Sequence, residues 1–396
     1  MANLFDYLNW RGDLSFKTNA FNEVDNLVLA VLSYLDYKGI VPGMKQNDII
    51  TLGEVAELFT DPQLRLSPTA SESFNKHVLE LLEKAATSKR FKDLRMSHYI
   101  NQVDDEQTKQ ISAVVFTISG LQHFIAFSGT DDSLVGWKEN LQMSFRESVQ
   151  AQQEAAQYTE DVMRDLPGKF RLGGHSKGGN LAVYAASRVK TRFQRRIVAV
   201  YNNDGPGFQT RFTQSEGYTK ILDRITTFLP RSSVVGMLLE HREDYKVVSS
   251  DESGLLQHDA FSWEVLGPQF VYEDGLSDTS LAFNKAMRTW LDHVDLEERE
   301  EFVDALFDIL KSTGVKSVSG LSHDKLSKAM SMIKSYIHMQ PETQTHLKKV
   351  IEIFFEENQS LFKQKIKDDI SSLIAKTLPG KKEEAKEGKK ETTAEA

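Results

Sequence analysis

Apolar positions recur at helical spacing in residues 22–35 and 71–86, so the stretch from about 20 to 90 reads as mainly helical. The period then changes. Residues 94–103 and 111–118 alternate or run apolar with β-branched side chains, and 123–127 repeats the signal after Gly120; these predict consecutive strands joined by turns. Residues 149–166 predict a helix ended by Pro167-Gly168. A short strand at 169–172, a helix of good formers at 180–189 and an apolar strand at 196–202 follow. Strand, helix, strand with short links is a parallel βαβ unit with a right-handed crossover. Residues 225–229 and 245–249 read as further strands. Past about residue 275 the strand signals stop. Residues 281–294, 297–310, 322–338 and 344–378 carry helical periodicity with abundant charge, and 381–396 offers no core-forming side chain, which predicts a disordered tail.

Between the strand ending at Leu172 and the helix after it stands Gly173-Gly174-His175-Ser176-Lys177-Gly178-Gly179. Gly-x-Ser-x-Gly alone is a weak signal. A strand, a sharp turn and a helix around it make a nucleophile elbow, in which small residues such as Gly174 and Gly178 must flank the serine. Ser176 is then the candidate nucleophile, and the Lys177 N–H at the helix start a candidate oxyanion donor. The competing reading is a glycine-rich phosphate turn. The Gly-Lys-Ser or Gly-Lys-Thr ending of a phosphate loop is missing here.

A serine hydroxyl needs a base, and the base needs an orienting acid. In the expected chain order the acid and then the histidine follow the serine. Two of the ten histidines, His241 and His258, lie downstream within the strand-rich region. His258 is favoured because its surroundings read as a loop past the last strand, whereas His241 sits in a charged stretch read as a helix end. Asp204, directly after the strand at 196–202 and followed by Gly205-Pro206-Gly207, is the favoured acid, with Asp244 and Asp251 in reserve. Thr130, in Ser128-Gly129-Thr130 after the strand at 123–127, is the second candidate oxyanion donor.

Composition narrows the classes. A net charge of −9 over 396 residues argues against a nucleic-acid binder acting through a broad basic surface. The absence of cysteine rules out disulfides, thiolate metal sites and a cysteine nucleophile. No His/Asp/Glu spacing is diagnostic of a metal, so neither metal nor cofactor is expected. No leader-like start and no run long enough to span a bilayer stand out, which predicts a cytoplasmic protein without a transmembrane segment.

These motifs resemble known ones. Residues 124–137 are similar to the oxyanion segment of class 3 lipases, and 174–179 to their Gly-His-Ser-x-Gly-Gly elbow. A closer resemblance, covering 4 to about 265, is to a family of uncharacterised bacterial lipase-like α/β-hydrolases, a domain of unknown function. It is carried by 25–37, 129–145 (with Gly136-Trp137-Lys138-Glu139), 174–186, 202–208, 232–238 and 257–263. Two departures stand out. Ser128 replaces the lipase arginine, and the later segment that usually holds the acid carries Ser232 and Ser233 instead. The turn at 204–208 is similar to the acid segment of pancreatic-type lipases, whose acid lies one strand earlier.

The resemblance implies an α/β-hydrolase fold with a mostly parallel sheet. The expected division is a helical N-terminal segment (1–90), a hydrolase core (91–275), a helical C-terminal region (276–378) and a charged tail (379–396). The expected function is an esterase or lipase acting on a small-molecule or lipid acyl ester, with residues 131–144 as a lid. A thioester or peptide substrate stays open. So does an inactive hydrolase-fold module that binds a protein partner through the C-terminal helices.

Overall fold

The computed structural model describes residues 1–46, 48–59, 72–104, 109–130, 138–139, 142–143, 145–293 and 295–312. Eight strands form one sheet in sequential order: β1 (Ile50–Thr51), β2 (Arg95–Asp104), β3 (Lys109–Ser119), β4 (Gln122–Phe127), β5 (Lys169–His175), β6 (Ile197–Asn203), β7 (Ile225–Pro230) and β8 (Tyr245–Val248). β1 to β4 pair antiparallel, and β4 to β8 pair parallel. The antiparallel part is the run of turn-linked strands expected from the sequence. Its tightest corner, between β3 and β4, places Gly120 at φ +51°, a conformation that glycine adopts freely.

Among the described residues eight longer helices accompany the sheet: α1 (Leu4–Arg11), α2 (Glu23–Leu32), α3 (Leu52–Leu58), α4 (Glu72–Thr87), α5 (Gln150–Asp165), α6 (Lys177–Arg188), α7 (Asp278–His293) and α8 (Leu296–Ser312). α5 carries the chain from β4 to β5, and α6 from β5 to β6. These are the crossovers that parallel neighbours require.

Side chains alternate across a strand, and here both faces are buried. Val114, Phe116, Phe124 and Ala126 join α1, α2 and α4 in one core. Ala113, Val115, Ile125 and Phe127 join α5 and α6 in the other. Hence β3 and β4 read as near-continuous apolar runs. With its eight-stranded central sheet, its two helical layers and a strand–turn–helix at β5–α6, the chain has an α/β-hydrolase fold.

α2 is capped by Asn22, which accepts from the Val24 and Asp25 N–H groups. Asp25 is also the fully buried partner of Arg90, at 2.5 Å, and accepts from the Tyr7 hydroxyl at 2.6 Å. α2 ends at Leu32, three residues before the expected end, so Tyr34 lies in the turn beyond it. α6 begins at Lys177, three residues earlier than expected, because the elbow turns straight into it.

α7 packs on the loop between β7 and β8. Asn284 Nδ2 donates to the Met237 carbonyl at 2.6 Å, and the Ser280 hydroxyl donates to the Ser233 carbonyl. The helices expected at 322–338 and 344–378, and the charged tail, lie outside the described residues. Among the described residues no helix is long and apolar enough to cross a membrane.

Candidate active site

β5 and α6 meet at Ser176, whose backbone is at φ +57°, ψ −132°. A non-glycine residue there is strained and persists only where its surroundings hold it. The holding groups are visible. The Ser176 N–H donates to the Asn203 carbonyl at 2.9 Å, and the Ser176 carbonyl accepts from the Gly179 N–H at 2.9 Å. A Cβ on Gly174 would lie 2.2 Å from the Gly178 carbonyl carbon, and one on Gly178 would lie 2.1 Å from the Phe127 oxygen. The backbones therefore touch, and no side chain fits at either position. Ser176 is 7 % exposed at this turn.

Asp204 follows β6, the parallel neighbour of β5. Asn202 shapes the turn, its side chain accepting from the Gly205 N–H at 2.9 Å. Asp204 sits at φ +51°, which aspartate tolerates better than most residues. Its N–H reaches back to the Phe228 carbonyl of β7 at 2.8 Å, so the side chain is aimed by two strands at once. The carboxylate is fully buried. One oxygen accepts from the Ser233 hydroxyl at 2.5 Å, and the other from His258 Nδ1 at 2.6 Å.

His258 ends a one-turn helix in the loop after β8. The Asp204 carboxylate can only accept, so His258 Nδ1 carries the proton and Nε2 is left as the basic nitrogen. Among the described residues Nε2 has no hydrogen-bond partner, and neither does the Ser176 hydroxyl. The structure thus brings Asp204 and His258 into a hydrogen bond and leaves the Ser176 to His258 step open. Serine–base bonds of this kind commonly tighten only when substrate is bound. The His258 ring packs against that of His175, the residue before Ser176, with centroids 4.8 Å apart.

The loop carrying His258 is pinned on three sides. The Trp263 indole donates to the Gln257 carbonyl at 2.9 Å, and Gln257 Oε1 accepts from the Ser232 N–H at 2.6 Å. His175 Nε2 donates to the His258 carbonyl at 2.8 Å. The serines standing where a lipase acid was expected therefore serve this site differently. Ser232 holds the histidine loop, and Ser233 holds Asp204.

The alternative residues are placed elsewhere. His241 is not at a helix end but in the loop between β7 and β8, with both nitrogens engaged: Nδ1 with Glu243 at 3.0 Å and Nε2 with the Gly236 carbonyl at 2.6 Å. Burial works against its charged form, but the Glu243 hydrogen bond and charge prevail and raise its pKa. Burial likewise pushes Glu243 up, yet the bonds from His241, Thr227 and Tyr218 bring it down to about 2. The two form a buried ion pair. Asp244 and Asp251 are exposed.

Thr130 follows β4, whose last residue, Phe127, pairs with Gly174, so it lies at the carboxyl edge of the sheet beside the elbow. Of the expected lid, only 138–139 and 142–143 lie among the described residues. There Glu139 reveals a contact that spacing did not suggest. It forms an ion pair with the Lys177 side chain, the two being 0 % and 1 % exposed. Lys177 Nζ also donates to the Gln110 carbonyl at 2.8 Å, and Glu139 accepts from the Gln110 and Ala151 N–H groups. The side chain after Ser176 thus ties the elbow to β3, to α5 and to the segment past the Thr130 loop. The only hint in the sequence was Gly136-Trp137-Lys138-Glu139, singled out by resemblance alone.

A groove of about 790 Å³ lined by Pro42, Glu54 and Tyr99 contains none of these residues. Among the described residues no three His, Asp or Glu side chains are grouped to hold a metal ion.

The model of the Mbeg1-like family matches residues 85–308, more than half of the chain. No curated protein matches it. Among solved structures, the crystal structure of M37 lipase is similar over 55% of this chain and 70% of that one, at 14% identity and a TM-score of 0.34.

Proposed function

We propose that the chain, which belongs to the Mbeg1-like family, is a serine hydrolase of the esterase or lipase type. The observation that carries this reading is the 2.6 Å bond from His258 to the buried Asp204, set beside a strained Ser176 on a strand-to-helix turn. Ser176 Oγ attacks the ester carbonyl while His258 Nε2 takes its proton. Asp204 stabilises the imidazolium that forms. The oxyanion is met by the N–H groups of Lys177, at the start of α6, and of Thr130. Collapse expels the alcohol, which takes the proton from His258. Water then releases the acyl group by the same steps in reverse.

The test is labelling by a fluorophosphonate probe, followed by a panel of p-nitrophenyl esters of increasing chain length. Wild-type protein should label and hydrolyse, and Ser176→Ala should do neither. One observation favours a second reading, a hydrolase fold kept as a binding module: the Ser176 hydroxyl is not bonded to His258. Folded wild-type protein that takes up no probe would select it.

A further inference from the structure

The residue between Gly174 and Ser176 is a histidine, and nothing in the reaction above uses it. Its surroundings are specific. His175 is 3 % exposed, and both ring nitrogens are engaged. Nε2 lies 2.8 Å from the His258 carbonyl, an oxygen that can only accept, so Nε2 bears the hydrogen. Burial, with the neighbouring His258 charge, pushes the His175 pKa down to about 3, so the ring is neutral. Nδ1 is therefore an acceptor, and it receives the Tyr34 hydroxyl at 2.9 Å. The direction of the chain is fixed: Tyr34 donates to His175, which donates to the backbone of His258.

Tyr34 also touches the oxyanion side. A Cβ on Gly129 would lie 1.8 Å from the Tyr34 hydroxyl oxygen and 2.7 Å from the His175 carbonyl, so the phenol is seated on the backbone just before Thr130. A residue from the turn after α2 thereby meets the oxyanion loop and the elbow, and through His175 the loop of the base. Those parts are 141 and 83 residues apart along the chain at the two hydrogen bonds.

We infer that His175 and Tyr34 are positioning residues, forming a Tyr34–His175 relay that holds the main chain of His258 so that its ring stays between Asp204 and Ser176. This rests on the serine-hydrolase reading. Asp204 alone restrains one ring nitrogen and leaves the ring free to swing about that bond. A second hold on the His258 carbonyl, with the His175 ring packed at a tilt against it, centroids 4.8 Å apart, removes that freedom. Neutrality serves the same end. When His258 takes the serine proton it becomes cationic, and a charged ring against its face would oppose the step.

The test uses the full chain and three variants. His175→Phe keeps a ring for packing but deletes both hydrogen bonds. His175→Gln keeps an N–H near the Nε2 position. Tyr34→Phe breaks the relay at its other end. On a p-nitrophenyl ester, His175→Phe should lower kcat about 10- to 100-fold, the scale of a small misplacement of a catalytic group, with KM little changed. His175→Gln should recover most of that loss, and Tyr34→Phe should show a smaller loss in kcat. In ¹⁵N-histidine NMR, His175 should be the neutral Nε2–H tautomer at neutral pH, and the His258 ring signals should move in His175→Phe. Folded His175→Phe with wild-type kcat, or His175→Gln no better than His175→Phe, would overturn the relay. If wild-type protein takes up no probe, the hydrolase reading fails and the NMR alone decides. The Nε2–H tautomer with displaced His258 signals supports the relay, and an Nδ1–H tautomer or unmoved His258 signals sink it.

Discussion

Asp204 and His258 stand 54 residues apart in the chain and are joined by a 2.6 Å bond, the acid fully buried and the imidazole about one quarter exposed. The asymmetry suits a base. A buried carboxylate facing a single imidazole fixes the tautomer and would steady a positive charge on the ring.

Replacing Asp204 by Asn keeps the shape and changes the donor pattern. The amide can present N–H where Nδ1–H needs an acceptor, and His258 would turn to its other tautomer, with no lone pair at Nε2. By analogy with serine proteases, kcat should fall about 10⁴-fold while the fold survives. Steady-state kinetics beside a melting curve check it. Near-normal turnover in the variant would remove Asp204 from the mechanism.

Ser233→Ala tests the other carboxylate oxygen. The hydroxyl is 2 % exposed and donates to Asp204. Losing a hydrogen bond to a buried charge costs about 1.5–3 kcal/mol. Urea denaturation should show a loss of that size, and the pH profile of kcat/KM should shift because Asp204 has lost its second donor. An unchanged stability and profile would mean that Asp204 does not depend on Ser233.

The Lys177–Glu139 pair makes a prediction of opposite design. Neither charge reaches solvent. Removing one partner, as in Lys177→Met, strands a buried carboxylate and should cost about 3–5 kcal/mol. Replacing both, Lys177→Met with Glu139→Leu, should cost less than Lys177→Met alone. Denaturant unfolding of both single variants and the double variant decides it. A double variant that costs as much as Lys177→Met, or more, would show that the lone carboxylate is not what makes Lys177→Met costly.

The strands and the elbow could be read in the sequence because their causes are local. Two-sided burial turns β3 and β4 into apolar runs, and Gly174 and Gly178 mark where the two arms of the elbow and the end of β4 come into backbone contact. Asp204 could be singled out because it directly follows a strand. What could not be read depends on contacts between distant residues. Ser233 meets Asp204 across 29 residues, Glu139 meets Lys177 across 38, and His175 meets His258 across 83. Periodicity carries no information over such spans. His241 was read at a helix end for the same reason: its charged neighbourhood does not show that Glu243 turns inward to pair with it.

The same His175 burial gives the stability a pH dependence. The unfolded chain protonates this histidine near its ordinary value of about 6.5. The folded chain resists until about 3, because burial and His258 disfavour the charged ring. A depressed folded pKa means that stability is complete above about 6.5 and is lost as pH falls toward about 3. The largest slope that one such group can impose is about 1.4 kcal/mol per pH unit. His241 works in the other direction: its raised pKa adds stability that is full below about 6.5 and lost as pH rises through the folded value. The wild-type curve mixes the two, so the comparison that isolates His175 is wild type against His175→Gln, which leaves His241 in place. The difference in melting temperature between them should be greatest near pH 7 and narrow steadily toward about pH 4. Circular dichroism melts at intervals across that range measure it. Parallel curves would mean that His175 takes up its proton in the folded state as readily as in the unfolded chain, and would overturn the depressed value.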